Sequence, residues 1–184
     1  MEIILASASP RRKVILEYFG YKISVVPSNY NENISNLVYS DYLVENCAYQ
    51  KALEVKNKLK TDKLIVSADT VVVCDGIILG KPKTEENAIA MLSSLSNKTH
   101  FVATSICVLA YNKVFKETQK TYVTFRELSL DDIKKYIQTQ KPFDKAGSYG
   151  IQDDGFDFVI KIDGELDNVV GFPMKTFKKI LKSI

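Results

Sequence analysis

The chain has 184 residues, of which 46% are hydrophobic and 26% charged, and its formal net charge is +3. This length and composition predict one globular domain over residues 1–184. The small positive charge is spread along the sequence, so nucleic acid is not the expected partner, and no apolar run approaches the roughly 20 residues that a membrane helix needs. No segment resembles a secretory signal, so we expect a cytoplasmic protein without a membrane partner.

The pattern of apolar residues predicts alternating strands and helices, and therefore a mixed α/β fold. Strands are predicted at 2–6, 23–26, 64–73, 77–79, 99–111, 114–126 and 156–162. Helices are predicted at 10–19, 41–59, 85–95 and 130–138, with a closing helix that begins at Pro173. Ser9, Thr84 and Ser129 are the expected N-caps, and the pairs Asp75–Gly76 and Asn112–Lys113 the expected hairpin turns. The order of the strands in the sheet is not predicted.

The start of the first predicted helix carries an unusual concentration of positive charge. Arg11, Arg12 and Lys13 follow Pro10, although a helix N-terminus is already positive and each cation there is unfavourable by roughly 0.3–1 kcal/mol. Arginine is otherwise scarce, because Arg126 is the third and last one in the chain. Two adjacent arginines at this position indicate a bound polyanion, with phosphate as the first candidate. A capped surface helix with solvated cations is the alternative.

Asp69 lies among apolar residues within the strand predicted at 64–73. An ionised carboxylate in such surroundings is unfavourable unless a cation or hydrogen-bond donors satisfy it. Since the carboxyl ends of strands line the ligand crevice of α/β sheets, we expect a functional carboxylate at a strand end, with a buried structural acceptor as the alternative. Lys81, between Gly80 and Pro82, suits an amine that meets a phosphate, although such a tripeptide is also a common turn.

Three further polar features are weaker. The segment 144–152 combines opposite charges, glycines and an aromatic residue, which is typical of a ligand-binding loop, and its Gln152 suits the recognition of a base edge. Lys51 and Glu32, taken locally, are expected to be solvated. His100 opens an apolar strand, where a hydrogen-bonded structural role is more frequent than that of a base.

Cysteine and histidine usage limits the possible chemistry. Cys47, Cys74 and Cys107 are far apart in apolar sequence, so we expect buried thiols in a reducing compartment. With one histidine, a zinc site is not expected, and any metal should be a hard ion such as Mg²⁺ or Mn²⁺. The sequence has no serine-hydrolase elbow, Walker lysine loop or dinucleotide glycine fingerprint. Cations beside a carboxylate therefore favour phosphoryl transfer.

Taken together, these segments resemble the Maf family of nucleoside triphosphate pyrophosphatases. The matching motifs occur in the family's order over almost the whole chain: LASASPRR at 5–12, Glu32, Lys51–Ala52, SADTVV at 67–72, GKP at 80–82, TH at 99–100, VTF at 123–125, DKAGSYGIQ at 144–152 and NVVGFP at 168–173. The resemblance implies an elongated mixed sheet flanked by helices, of the Maf/ITPase-like type, with a cleft between two lobes, and a homodimer.

The resemblance also implies hydrolysis of a nucleoside triphosphate to the monophosphate and pyrophosphate with a divalent metal, Mg²⁺ or Mn²⁺. Asp69 would be the proton acceptor that activates water for attack at the α-phosphorus, and Glu32 with Asp69 would hold the metal. The triphosphate would be held by five residues: Ser7, Arg11, Arg12, Lys51 and Lys81.

Within the family, Arg11, Thr70 and Gln152 match the branch that acts on dTTP and UTP, where the branch acting on 7-methyl-GTP has Trp, Gln and Glu. The chain departs from the family pattern at Asn31, which stands where an acid usually precedes Glu32, and at residues 153–155, which replace a glycine. Two other functions remain open. One is a pyrophosphatase for ITP or XTP, and the other is a nucleotide-binding regulator of cell division without turnover.

Overall fold

The computed structural model describes residues 2–184, over which seven strands form one mixed sheet and six α-helices cover it. The strands are β1 (Glu2–Leu5), β2 (Lys22–Val25), β3 (Leu64–Cys74), β4 (Ile77–Leu79), β5 (Thr99–Ala110), β6 (Lys113–Phe125) and β7 (Val159–Asp163). The helices are α1 (Pro10–Tyr18), α2 (Asp41–Leu59), α3 (Glu85–Leu95), α4 (Leu130–Gln140), α5 (Leu166–Val170) and α6 (Met174–Leu181). Within the described range, no helix is both long and apolar enough to cross a lipid bilayer.

The sheet has the order β2-β1-β3-β5-β6-β7, with β4 beside β3. β1 pairs in parallel with β2 and β3, and the remaining pairs are antiparallel. The long β5–β6 hairpin and β3 form the centre of the sheet. The predicted mixed α/β sheet is therefore confirmed.

Helices cover both faces of the sheet. Successive residues of a strand point to opposite faces, so each face presents apolar side chains for a helix to pack against. Ile3 and Leu5 of β1 belong to a core cluster with Leu16 of α1 and Phe177 of α6. The neighbours of these two strand residues, such as Ile4, pack in a different cluster with the small side chains of α2. A fully buried side chain of this size contributes roughly 1.5–3 kcal/mol, so the alternation of β1 selects which helix covers which face.

Two separate apolar clusters share one face of β3. Val66 lies in the cluster of α1 and α6, whereas Val72, on the same face farther along the strand, lies in the cluster of α3 and α4. Thr70 lies between them in the strand, and on β5 its partner in register is Thr104. These two threonines interrupt the apolar core and separate the two clusters.

Several local predictions need correction. Asp69 lies in the middle of β3 and not at its end, because β3 continues to Cys74. Ser9 occupies the N-cap position of α1, but its side chain makes no capping hydrogen bond. The β5–β6 turn falls at Tyr111–Asn112, which both have positive φ, one residue before the predicted pair.

The other two predicted caps are confirmed. Thr84 accepts a hydrogen bond from the amide of Asn87 at 3.2 Å, and Ser129 forms a reciprocal capping box with Asp132. Near the C-terminus, α5 was not predicted, since its five residues are too few to show helical periodicity. β7 begins three residues later than predicted, at Val159.

Candidate active site

A cleft opens where one edge of β3 has no neighbouring strand. β5 occupies the other edge, while β1 pairs only with Leu64–Val66 and β4 only with Val72–Cys74. Among the described residues, 67–71 of β3 therefore leave this edge free. A cleft of about 470 Å³ lies against it. Its lining includes every residue that the sequence assigns to substrate, metal or specificity: Ser7, Arg11, Arg12, Glu32, Lys51, Asp69, Thr70, Lys81 and Gln152.

The free edge explains how an aspartate in mid-strand reaches a ligand site. Asp69 and Thr70 are consecutive, so their side chains point to opposite faces of the sheet. Both nevertheless line the cleft, because the cleft extends around the unpaired edge. β1 ends at Leu5, and Asp69 lies on the part of β3 beyond that carboxyl end, where it lines the cleft.

Lys51 connects Glu32 and Asp69, two of the four carboxylates that line the cleft. Its Nζ donates a hydrogen bond to Asp69 Oδ1 at 2.6 Å and also forms an ion pair with Glu32. Lys51 is 6% exposed and Asp69 is 2% exposed. The local prediction of a solvated Lys51 is therefore wrong. Lys51 lies on the same face of α2 as the buried residues Ala48 and Ala52, which faces the sheet.

The two carboxylates differ in their electrostatic environment. Burial raises the pKa of Asp69, and the charge of Lys51 only partly opposes this effect. Burial also raises the pKa of Glu32, but the charge and hydrogen bond of Lys51, assisted by Lys81, outweigh burial and hold this pKa below its ordinary value. Asp69 is therefore the stronger base of the pair. A separation of pKa values between neighbouring carboxylates is typical of acid–base sites.

Asp69 also has an oxygen available for chemistry. Its Oδ2 atom is buried and has no hydrogen-bond partner within residues 2–184. A buried acceptor left without a donor is unfavourable by roughly 1–3 kcal/mol. Such an atom in a cleft is suited to a water molecule, a substrate or a metal ion.

Arg12 is held rigidly beneath the cleft. Its guanidinium donates to the carbonyl oxygens of Ala68 and Gly171 and to the hydroxyls of Ser7 and Thr70, at 2.7–3.0 Å. Burial lowers the pKa of Arg12, but an arginine remains charged in proteins. The cation is therefore held in place before any ligand arrives, and one of its acceptors is the carbonyl of the free β3 edge.

Arg11 and Lys81 are more exposed cations at the rim of the cleft. Arg11 donates to Asp144 Oδ2 at 3.0 Å, which connects the first turn of α1 to the loop after α4. Lys81 lies 3.9 Å from Glu32 Oε2 and is mostly exposed. Exposed ion pairs contribute roughly 0–1 kcal/mol, so a polyanion can displace Asp144 from Arg11 without a large loss of stability.

The loop that carries Gln152 is anchored by a tyrosine of α4. Tyr136 donates its hydroxyl to Asp153 Oδ2 at 2.5 Å and accepts the amide of Gly150 at 2.9 Å. Burial raises the pKa of Tyr136, so its proton stays in place. Sequence reasoning recognised Asp153 only as part of a departure from the family pattern and did not identify Tyr136, whose position on the apolar face of an amphipathic helix indicates a core residue.

The donor set of the cleft fits a divalent metal of the hard type. Glu32 and Asp69 lie on either side of Lys51, and Asp69 Oδ2 lacks a partner. Carboxylate oxygens are the ligands that Mg²⁺ and Mn²⁺ prefer. In residues 2–184, no cluster of three or more His, Cys, Asp or Glu side chains has the arrangement of a complete protein metal site. Any such ion would therefore be shared with substrate oxygens.

His100 and the cysteines lie outside this chemistry. His100 Nε2 is 2.8 Å from the hydroxyl of Tyr149, and its ring packs edge-on against Phe125 in the core. Burial lowers the pKa of His100 to about 4, so the ring is neutral at physiological pH. The three cysteines are buried and unbridged, as predicted. The predicted structural role of His100 agrees with these contacts.

Comparison with known proteins identifies a family to which the sequence matches and relatives that are similar over nearly its whole length. The family model for Maf-like proteins matches residues 2–184. A protein named dTTP/UTP pyrophosphatase from Clostridium beijerinckii is 44% identical over the full length of both chains. A protein of the same name from Thermosipho africanus is 44% identical over 98% of this chain and 92% of its own length.

A solved structure supports the fold. The Ham1 protein of Staphylococcus aureus aligns with 100% of this chain and 99% of its own, at a TM-score of 0.51 and 16% sequence identity. At this identity the likeness concerns the fold alone. The family resemblance of the motifs is confirmed by the full-length match, and the chain belongs to the family of Maf-like proteins.

Proposed function

We propose that this protein hydrolyses dTTP and UTP to the nucleoside monophosphate and pyrophosphate. The observation that carries the proposal is Asp69, a buried carboxylate with a raised pKa and one unpartnered oxygen, in a cleft lined by five cationic side chains, those of Arg11, Arg12, Lys51, Lys81 and Lys145. The names of relatives at 44% identity over essentially the whole chain support the same activity.

The chemistry requires one base and several cations. Asp69 Oδ2 accepts a proton from a water molecule, whose oxygen forms the new bond to the α-phosphorus. The bond between that phosphorus and the bridging oxygen of the β-phosphate breaks, and pyrophosphate leaves with the bonding electrons. Arg11, Arg12 and Lys81 neutralise the phosphate oxygens, which is the main contribution a protein makes to phosphoryl transfer.

Lys51 and Ser7 have supporting roles in this proposal. Lys51 holds Asp69 Oδ1, which leaves Oδ2 as the basic atom, and its charge also faces the phosphates. Ser7 accepts from Arg12 and lies at the start of the loop that leads into α1. Glu32 and Asp69 would hold Mg²⁺ or Mn²⁺, which when bound supplies further neutralisation of phosphate charge.

Pyrimidine selectivity is assigned to Arg11, Thr70 and Gln152 through the family branch that they match. Gln152 lies on the loop held by Tyr136, where its amide offers one donor group and one acceptor group to a base edge. The expected homodimer and the cytoplasmic location are proposals that rest on the family resemblance, and three reduced cysteines fit a reducing compartment.

The test is hydrolysis of a panel of triphosphates with Mg²⁺ or Mn²⁺, with pyrophosphate and phosphate quantified separately. We expect pyrophosphate from dTTP and UTP, and much less from CTP, 7-methyl-GTP, ITP and dGTP. Preferred turnover of ITP would favour the ITP/XTP-type alternative. Binding of a nucleotide without turnover of any would overturn the enzymatic proposal in favour of a nucleotide-binding regulator.

Tyr136→Phe is expected to weaken base discrimination. The ring stays in the core, but Asp153 and the amide of Gly150 lose their shared partner, so the loop carrying Gln152 loosens. We expect the ratio of kcat/KM for UTP over CTP to fall by about three- to tenfold, the equivalent of one hydrogen bond. An unchanged ratio would show that the loop keeps its position without Tyr136, and Tyr42→Phe, a change at an exposed tyrosine outside the cleft lining, serves as the control.

A further inference from the structure

Arg12 has few hydrogen-bond donors left for a ligand. A guanidinium has five N–H groups. Nε donates to Gly171 O, Nη1 donates to Ser7 Oγ and Ala68 O, and Nη2 donates to Thr70 Oγ1. One N–H group therefore remains for a phosphate oxygen. The contribution of Arg12 depends on the position of its charge, and that position depends on the four acceptors.

Among these acceptors, the Thr70 hydroxyl can rotate and must be oriented by its neighbours. Thr70 Oγ1 is 3.0 Å from Thr104 Oγ1, and Thr104 donates its proton to the main-chain oxygen of Asn168 at 2.9 Å. A hydroxyl has one proton, and a carbonyl oxygen only accepts. Thr104 must therefore accept from Thr70, and the lone pairs of Thr70 are left for Arg12.

Asn168, at the far end of this series of hydrogen bonds, is itself held by further hydrogen bonds. The Asn168 side chain donates to Val102 O and to Thr121 Oγ1, both at 3.0 Å, and both Asn168 and Thr104 are fully buried. On its face of β5, Thr104 lies between the buried apolar residues Val102 and Ile106, a position where valine would fit in shape. A buried hydroxyl in that position is unfavourable unless it is hydrogen-bonded. The presence of threonine instead of valine is therefore explained by its hydrogen bonds to Thr70 and Asn168 and not by the packing of its side chain.

We propose that Thr104 is a positioning residue for substrate binding, which orients the Thr70 hydroxyl and through it the Arg12 guanidinium toward the phosphates. The inference rests on the proposed function. Thr104 does not line the cleft, so it would not touch a substrate bound there. Its effect is on binding, because the phosphate charge that Arg12 meets is already present in the ground state.

The test compares Thr104→Val and Thr104→Ser in steady-state hydrolysis of dTTP. We expect Thr104→Val to raise KM about three- to tenfold with kcat within twofold, and Thr104→Ser, which keeps the hydroxyl, to retain the KM of the wild type. In a Thr70→Val background, Thr104→Val should raise KM no further, because the residue through which it acts is gone. Thermal unfolding identifies folded variants, and Thr104→Ala replaces the valine variant if that one does not fold.

Three results would overturn the inference while leaving the proposed function intact: a wild-type KM in Thr104→Val, equal impairment of the serine and valine variants, or an undiminished effect of Thr104→Val in the Thr70→Val background. Absence of pyrophosphate release by the wild type would instead overturn the proposed function. Calorimetric binding of inorganic tripolyphosphate then decides the inference separately. Weaker binding by Thr104→Val than by Thr104→Ser supports it, and equal binding by the two overturns it.

Discussion

Asp69→Asn is expected to lower kcat for dTTP by roughly 10²- to 10⁴-fold, the usual contribution of a general base. The amide has nearly the shape of the carboxylate and can still accept the hydrogen bond of Lys51, which now reaches Asp69 Oδ1 at 2.6 Å. The arginines and Lys81 are untouched, so the dissociation constant for the nucleotide, measured without added metal because Asp69 is also a proposed metal ligand, should change by less than about threefold. Single-turnover kinetics and equilibrium binding with the same preparation separate these two quantities.

Asp75→Asn is the matched control for this variant. Asp75 lies in the exposed turn after β3, pairs with Lys98 and does not line the cleft. Its positive φ is one that asparagine adopts readily. We expect wild-type kcat from this control. Full activity in Asp69→Asn would exclude Asp69 as the base, whatever the behaviour of the control.

The assignment of Asp69 as the general base also predicts how kcat/KM depends on pH. Only the ionised carboxylate accepts a proton, so kcat/KM falls as pH decreases through the pKa of Asp69. Because burial raises this pKa, the loss begins at a higher pH than for an ordinary aspartate. The residual activity of Asp69→Asn should not show this fall of kcat/KM at low pH. The same fall in both proteins would mean that another group titrates there.

The helices and strands of regular periodicity could be predicted from the sequence, and the reasons are local. α2 has the predicted bounds because its apolar residues recur at helical spacing over five turns, and α3 because Thr84 caps it. The five-residue α5 lacks enough residues to show a period. The gap in the sheet beside β3 could not be predicted, since it depends on where β1 and β4 end against a third strand.

The residues of the candidate site divide in the same way, into those that local sequence features indicate and those that only the tertiary arrangement brings into the cleft. Arg11, Arg12 and Asp69 are locally unfavourable residues, and such conflicts indicate functional positions. Lys51 and Glu32 create no local conflict, and only the family resemblance identified them. Lys51 becomes a site residue because one face of α2 lies over the free edge of β3, which is a tertiary arrangement. Thr104 and Tyr136 likewise read as ordinary residues of a strand and a helix.

Lys51→Met is expected to lower the free energy of unfolding at neutral pH by about 3–5 kcal/mol, the loss typical of removing one partner from a buried ion pair. Methionine keeps the length and packing of the side chain, but Asp69 remains buried without its hydrogen-bonded cation. Glu32 is partly exposed and can be solvated by water, so most of the loss is assigned to Asp69. Chemical denaturation of the variant and the wild type measures the difference.

The pH dependence of that loss distinguishes an uncompensated charge from a packing defect. Without Lys51, burial acts unopposed and the pKa of Asp69 in the folded protein rises further above its unfolded value. The folded state then binds the proton more tightly, so stability falls as pH rises from the unfolded pKa through the folded one, and lowering the pH restores it.

Lys51→Met combined with Asp69→Asn should be more stable than Lys51→Met alone, since neither charge remains. Lys58→Met, an exposed position on the same helix, should change stability by less than about 0.5 kcal/mol. A loss in Lys51→Met that is independent of pH, and is not relieved by Asp69→Asn, would mean that Lys51 contributes packing and does not compensate the charge of Asp69.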